Sequence, residues 1–293
     1  MARHLQEAGH DLVVNDIRME AAEPHIAAGA TWAATPAEVF ADTPVVFTSL
    51  PMPSDVESVV LGPDGLIKSA EPGKVYFDVS TNAPSMIKKL HAALAERGVT
   101  MLDAPISGGA AGAESGRLAF FVGGDRATFD TYKEVLRAMG DQPIYVGEIG
   151  DGTVAKLVHN LAAQSMSLAF AEAFTIGVRA GVEPVALWRA IRQGAGGRPR
   201  RPYDSLRFFT HDDEPASFRL ELALKDVTLA TQLARDVHVP ANLSQITNDD
   251  LMEACEKGWG TKDMTALLLM QAERAHVDIR MSKEDVDKVR END

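Results

Sequence analysis

The first half of the chain alternates short apolar runs with amphipathic stretches, and after about Gly152 the strand signals stop; no other feature restricts the fold as much. Candidate strands lie at 11–15 (DLVVN), 45–49 (VVFTS), 75–79 (VYFDV), 100–103 (TMLD), 118–122 (LAFFV) and 144–146 (IYV). Candidate helices between them cover 36–41, 54–60, 84–97 and 127–139. Pro36 and Pro84 open two of these, where a missing N–H costs nothing and the fixed φ suits a first turn. Strands alternating with helices read as βαβ units on a parallel sheet. The second half reads as helical, with breaks at 194–202, 211–215, 238–240 and 258–260. The expected fold class is α/β over residues 1–152, followed by an all-α domain over 153–293.

The longest apolar stretch, 157–178, has the length of a membrane span but contains His159, Asn160, Gln164 and Glu172. It reads as a buried helix, so no membrane partner is expected. Lys and Arg number 29 against 42 Asp and Glu, a net charge of -13, so the long-range field repels phosphate backbones and nucleic acid is not expected as a partner. A lone cysteine, Cys255, fits a reducing, cytoplasmic setting, and the N-terminus has no apolar run of signal-peptide length. The histidines show no metal-ligand spacing and no carboxylates cluster, so no metal is expected.

The N-terminal segment MARHLQEAGHDLVVND reads as a helix ending near Gly9, a strand, and an acid, Asp16. In a dinucleotide-binding unit this order follows a first strand and a G-x-G-x-x-G loop, and the acid hydrogen-bonds the adenosine ribose. Alone it is a weak signal, because Asp often ends strands by turn preference. Three further segments come after it in order: DAPISGGAAGAESGRLAFFVGGD (103–125), GDGTVAKLVHN (150–160) and FRLELALKDVTLA (218–230), with a weaker GWGTKD at 258–263. Together they resemble the β-hydroxyacid dehydrogenase family, the 3-hydroxyisobutyrate dehydrogenase and tartronate semialdehyde reductase group. In that family a strand and Gly-rich loop precede the first segment. The resemblance therefore implies that Met1 is not the natural start and that roughly 12–15 residues belong upstream.

Each site residue has a plain reading beside the one the resemblance implies. Gly108 and Gly109 let backbone N–H groups approach a small anion and Ser107 adds a hydroxyl, yet the same residues read as a glycine-rich loop. The resemblance assigns all three to the substrate carboxylate and hydroxyl. Lys156 and Asn160 stand at i and i+4 on one helix face. A desolvated lysine suits proton transfer near neutral pH, but the residues alone favour a snorkelling lysine with a wet ammonium. In the family the catalytic lysine occupies the position of Lys156 and the Asn one turn on contacts substrate. Lys225 reads as a surface lysine paired with Asp226 or Glu221, and the resemblance places it at the nicotinamide end of the cofactor. Leu50, Pro51 and Thr81 follow candidate strands and are turn residues by themselves; the resemblance assigns them to the dinucleotide. Asp16 favours NAD, with NADP left open by Arg18 nearby. The basic cluster Arg198, Arg200 and Arg201 reads as a solvated loop or as a selector of anionic substrates, and Arg117 stands where the family more often has a small hydroxyl residue.

The implied architecture is a Rossmann-like domain, lacking its first strand and loop, joined by a long buried helix to an all-helical domain, with the active site in the cleft. The implied activity is NAD(P)-dependent hydride transfer between nicotinamide and a short hydroxyacid or semialdehyde, in a homodimer or homotetramer. Two alternatives stand beside it: an imine or other carbonyl reductase, disfavoured by Lys156, and a non-catalytic interaction module that has lost its cofactor.

Overall fold

The structure is a computed structural model that describes residues 1–179, 181–193, 215–236, 242–284 and 286–287, and the chain divides into two units, Met1–Val158 and His159–Asp293. In the first unit, α1 (Ala2–Glu7), β1 (Val13–Val14), α2 (Met19–Ala27) and β2 (Thr31–Trp32) come first, and β1 and β2 pair in parallel as a two-stranded sheet. They are succeeded by α3 (Pro36–Asp42), β3 (Val45–Thr48), α4 (Pro53–Leu61), β4 (Val75–Asp78), α5 (Pro84–Ala95) and β5 (Thr100–Asp103). Proline opens α3, α4 and α5, and the Thr35 hydroxyl caps α3 by accepting from Glu38 N at 3.2 Å. Next come β6 (Ile106–Ser107), α6 (Gly109–Ser115), β7 (Ala119–Gly123), α7 (Arg126–Met139) and β8 (Gln142–Gly147).

β3, β4 and β5 run parallel in even register, with Phe47 beside Phe77 and Phe77 beside Leu102. All of β4 is buried, as expected of a parallel strand covered on both faces. Its residues alternate between two cores. Tyr76 packs with Phe40, Val56, Leu90 and Met101 on one face, while Val75 and Phe77 pack with Leu102, Phe120, Phe129 and Leu136 on the other.

The expected wholly parallel sheet is corrected at its far side, where β7 pairs antiparallel with both β5 and β6 before β8 joins it in parallel. The path from β5 to β7 carries the two-residue β6 and the short α6, and β7 returns from it antiparallel to both strands. The expected strand at 11–15 shrinks to Val13–Val14, and two strands, β2 and β6, had no sequence signal, since two residues show no alternation.

Within α8 (Asp151–Arg179) the division between units falls at Val158. The second unit continues with α9 (Pro184–Gln193), α10 (Leu220–Asp236), α11 (Asn242–Ala254) and α12 (Leu267–Ala275). Its described residues form two apolar clusters, one around Phe174, Trp188, Leu268 and Ile279, the other around Leu220, Val227, Leu251 and Leu267. Among the described residues no helix is long and apolar enough to cross a membrane.

Candidate active site

The glycine-rich segment after β5 is shaped by two backbone angles. Gly108 has φ 132° and Gly109 φ 60°, both in the region that side chains disfavour, and the segment turns there from β6 into α6. Ser107 is half-buried beside Ala119 of β7, so strand pairing fixes the residue that leads into the turn. The Arg117 guanidinium, nearby in sequence, is exposed and lies 3.6 Å from Asp141. Arg198, Arg200 and Arg201 lie outside the described residues.

Lys156 occupies the second turn of α8 and is only 7% exposed, so most of its side chain is withdrawn from water. The start of its helix is held by a residue not among those expected at the site. Asp103, fully buried at the end of β5, accepts from Gly150 N through Oδ1 at 2.7 Å and from Thr153 N through Oδ2 at 2.6 Å. Burial pushes its carboxyl up to about 6 even though these hydrogen bonds favour the charged form. The signal available was an acid closing an apolar strand directly before the glycine segment.

In the second unit, the Asn160 amide donates to Asp226 Oδ2, and the Lys225 ammonium stands 2.9 Å from Asp226 Oδ1. Lys225 does pair with Asp226, but not at the surface, since both side chains are largely buried. Asp226 thus joins two residues expected at the site from separate segments. The weaker segment at 258–263 holds the beginning of α10: Asp263 Oδ2 accepts from Ser217 N at 2.8 Å and from Ser217 Oγ at 2.6 Å. Burial pulls the Asp263 carboxyl up, but the bonds from Ser217 and Thr265 outweigh it and leave the group below its ordinary value.

The carboxyl ends of β3 and β4 are linked by a buried polar network. Asp78 accepts from Thr48 Oγ1 at 3.2 Å, from Ser80 N at 3.1 Å and from Asn82 Nδ2 at 3.0 Å. Thr48 also meets the Tyr76 hydroxyl at 2.7 Å, and Ser80 Oγ accepts from Leu50 N at 2.9 Å. Burial raises the pKa of both Asp78 and Tyr76. The network locks the turns of Leu50–Pro51 and Ser80–Thr81 side by side at the edge where open α/β sheets bind ligands. Asp16, just past β1, is exposed; its Oδ1 accepts from Arg18 N at 2.8 Å and lies 3.9 Å from Arg18 Nε. An acid thus stands beyond one parallel strand and fixed turns beyond two others, at the strand ends where open α/β sheets bind ligands. Among the described residues no cluster of His, Cys, Asp and Glu could hold a metal ion.

Residues 1–147 match the family model described as the NAD binding domain of 6-phosphogluconate dehydrogenase, and residues 150–270 match that of the NAD-binding region of NADP-dependent 3-hydroxyisobutyrate dehydrogenase. The chain is 36% identical over 245 residues to the NAD-dependent L-serine dehydrogenase of Pseudomonas aeruginosa, covering 80% of this chain and 81% of that one. It is also 36% identical over 259 residues to the 3-hydroxyisobutyrate dehydrogenase of the same organism, covering 85% and 86%. Among solved structures, 3-hydroxyisobutyrate dehydrogenase from Salmonella typhimurium is similar with a TM-score of 0.82 at 25% identity, over 92% of this chain and 94% of that one.

Proposed function

The chain belongs to the 3-hydroxyisobutyrate dehydrogenase family of NAD(P)-dependent oxidoreductases, and from that premise we propose that it interconverts a short β-hydroxyacid and its semialdehyde or ketone with Lys156 as the proton-transferring group. When bound, the nicotinamide supplies or accepts the hydride; the chain's own residues orient the substrate and move one proton. In the reducing direction the Lys156 ammonium donates from Nζ to the carbonyl oxygen as it becomes a hydroxyl. In the oxidising direction the neutral amine takes that proton back. Ser107 and the backbone N–H groups of Gly108 and Gly109 hold the substrate carboxylate. The Asn160 amide, steadied by Asp226, orients the substrate oxygen, and Lys225 serves the nicotinamide end.

The observation that carries this reading is the burial of Lys156 on the helix whose N-terminus is tied to the strand leading into Ser107. A largely buried lysine is shielded from bulk water, and its proton can then be delivered to one atom. Asp16 supports NAD as the preferred cofactor, because a carboxylate accepts from ribose hydroxyls and repels a 2′-phosphate. Exposed apolar side chains on α8 and α11, including Met166, Leu243 and Ile246, support a homodimer or homotetramer, and the lone Cys255 supports a cytoplasmic setting. Lys156→Ala is expected to lower kcat by roughly 10²–10⁴-fold while NADH binding, read by energy transfer from the tryptophans, stays nearly unchanged. Near-normal turnover in that variant would remove Lys156 from the chemistry.

A further inference from the structure

Asp103 is an expensive residue to keep where it is. Its carboxylate is fully buried at the end of β5, and burying a charge is costly unless it is fully satisfied. What it does there is specific. Its two oxygens reach across 47 and 50 residues of sequence to Gly150 N, immediately before α8, and to Thr153 N within the first turn. These are among the backbone donors that a helix start leaves without intrahelical partners, normally met by a side chain next door. Here the cap comes from a strand instead, so it fixes where the helix begins relative to the sheet.

The surroundings leave this turn no freedom. A Cβ on Gly152 would fall 2.3 Å from the Phe121 carbonyl oxygen and 2.6 Å from that of Asp103, and one on Gly123 would fall 2.7 Å from Asp103 Oδ1. The helix therefore lies directly on the strand ends, backbone on backbone. In one direction along the chain from Asp103 lies Ser107, through Ala104, Pro105 and Ile106; one turn along α8 from Thr153 lies Lys156. A single buried carboxylate thus joins the segment that holds the substrate anion to the helix that carries the proton.

We propose that Asp103 is a positioning residue of the reaction, holding the first turn of α8 so that Lys156 is registered against the Ser107–Gly109 segment. This rests on the assignment of Lys156 to proton transfer. Misplacing a reacting group by about 1 Å can cost on the order of 10²-fold in rate, so the anchor matters well beyond the strength of two hydrogen bonds.

A double-mutant cycle on the full chain tests it. Asp103→Asn keeps one acceptor but turns an amide N–H₂ toward the other backbone donor. It is expected to lower kcat roughly 10- to 100-fold with the Kd for NADH changed less than about threefold. In the Lys156→Ala background the same change is expected to lower kcat by less than about twofold, because nothing is left to misplace. Equal losses in both backgrounds would show that Asp103 serves only the fold and would overturn the proposal, as would wild-type kcat in Asp103→Asn. Should Asp103→Asn fail to fold, Asp103→Glu keeps the carboxylate while lengthening it by one methylene, and it enters the same cycle with the same two outcomes. Failure of the Lys156 assignment shows separately, as near-normal turnover in Lys156→Ala alone, and takes this proposal with it.

Discussion

A carboxyl group whose pKa rises to about 6 on burial destabilises the folded protein at neutral pH, and Asp103 is such a group. Its sign is opposite to that of a salt-bridged aspartate. The folded state binds the proton more tightly than the unfolded chain, whose carboxyl titrates near 3.8, so the stability it contributes is full below that pH and is lost as pH rises to about 6. A shift of this size corresponds to about 3 kcal/mol. The difference in unfolding free energy between the wild type and Asp103→Asn, measured by denaturant titration, should therefore move by about 2 kcal/mol against the wild type between pH 4 and pH 7. A pH-independent difference would mean that the carboxyl titrates normally. That a stability cost of this kind persists at a helix start beside Lys156 is what a functional position looks like in physical terms.

At the scale of elements, α8 is one helix from Asp151 to Arg179, and it carries Lys156 and Asn160 one turn apart. Ala162 is exposed in its interior, so a substitution there acts on the backbone with little loss of packing. Ala162→Gly should cost about 1 kcal/mol. Ala162→Pro should cost about 3 kcal/mol or more, because the ring meets the carbonyl of Val158 and bends the helix between the two site residues. Thermal unfolding measures both, and kcat should fall in the proline variant far more than in the glycine one; equal kcat would show that the continuity of α8 does not matter to catalysis. This helix was legible in the sequence, since a long apolar run interrupted by His159, Asn160 and Gln164 has few other readings. The strands β4 and β5 were legible for a related reason, being runs buried on both faces, and β3 as a short apolar run that is buried at alternate residues. What escaped was everything set by distant partners. β6 exists only through β7, the antiparallel turn of the sheet appears only in the pairing of β7 with β5 and β6, and Asp103 and Asp226 look like any strand-ending or helical acid until Gly150, Thr153, Asn160 and Lys225 are brought to them.

For the molecule as a whole, the local and the long-range electrostatics point in opposite directions. The net charge of -13 repels an anionic hydroxyacid and an anionic dinucleotide on approach, whereas the groups proposed to receive them are the Ser107–Gly109 donors, Lys156 and Lys225. The two effects respond differently to salt. The screening length falls from about 30 Å at 0.01 M to about 8 Å at 0.15 M, which removes repulsion at encounter distances but hardly touches contacts between buried groups. Raising ionic strength over that range should therefore increase kcat/KM for a hydroxyacid anion by roughly twofold or more, with the change in association rate and little change in kcat. A neutral substrate, such as the methyl ester of the same acid, should show no comparable gain. If kcat/KM for the anion instead falls with salt, the approach to the site is governed by the local cations and not by the net charge, and the field argument applied to this acidic chain fails for its own substrate.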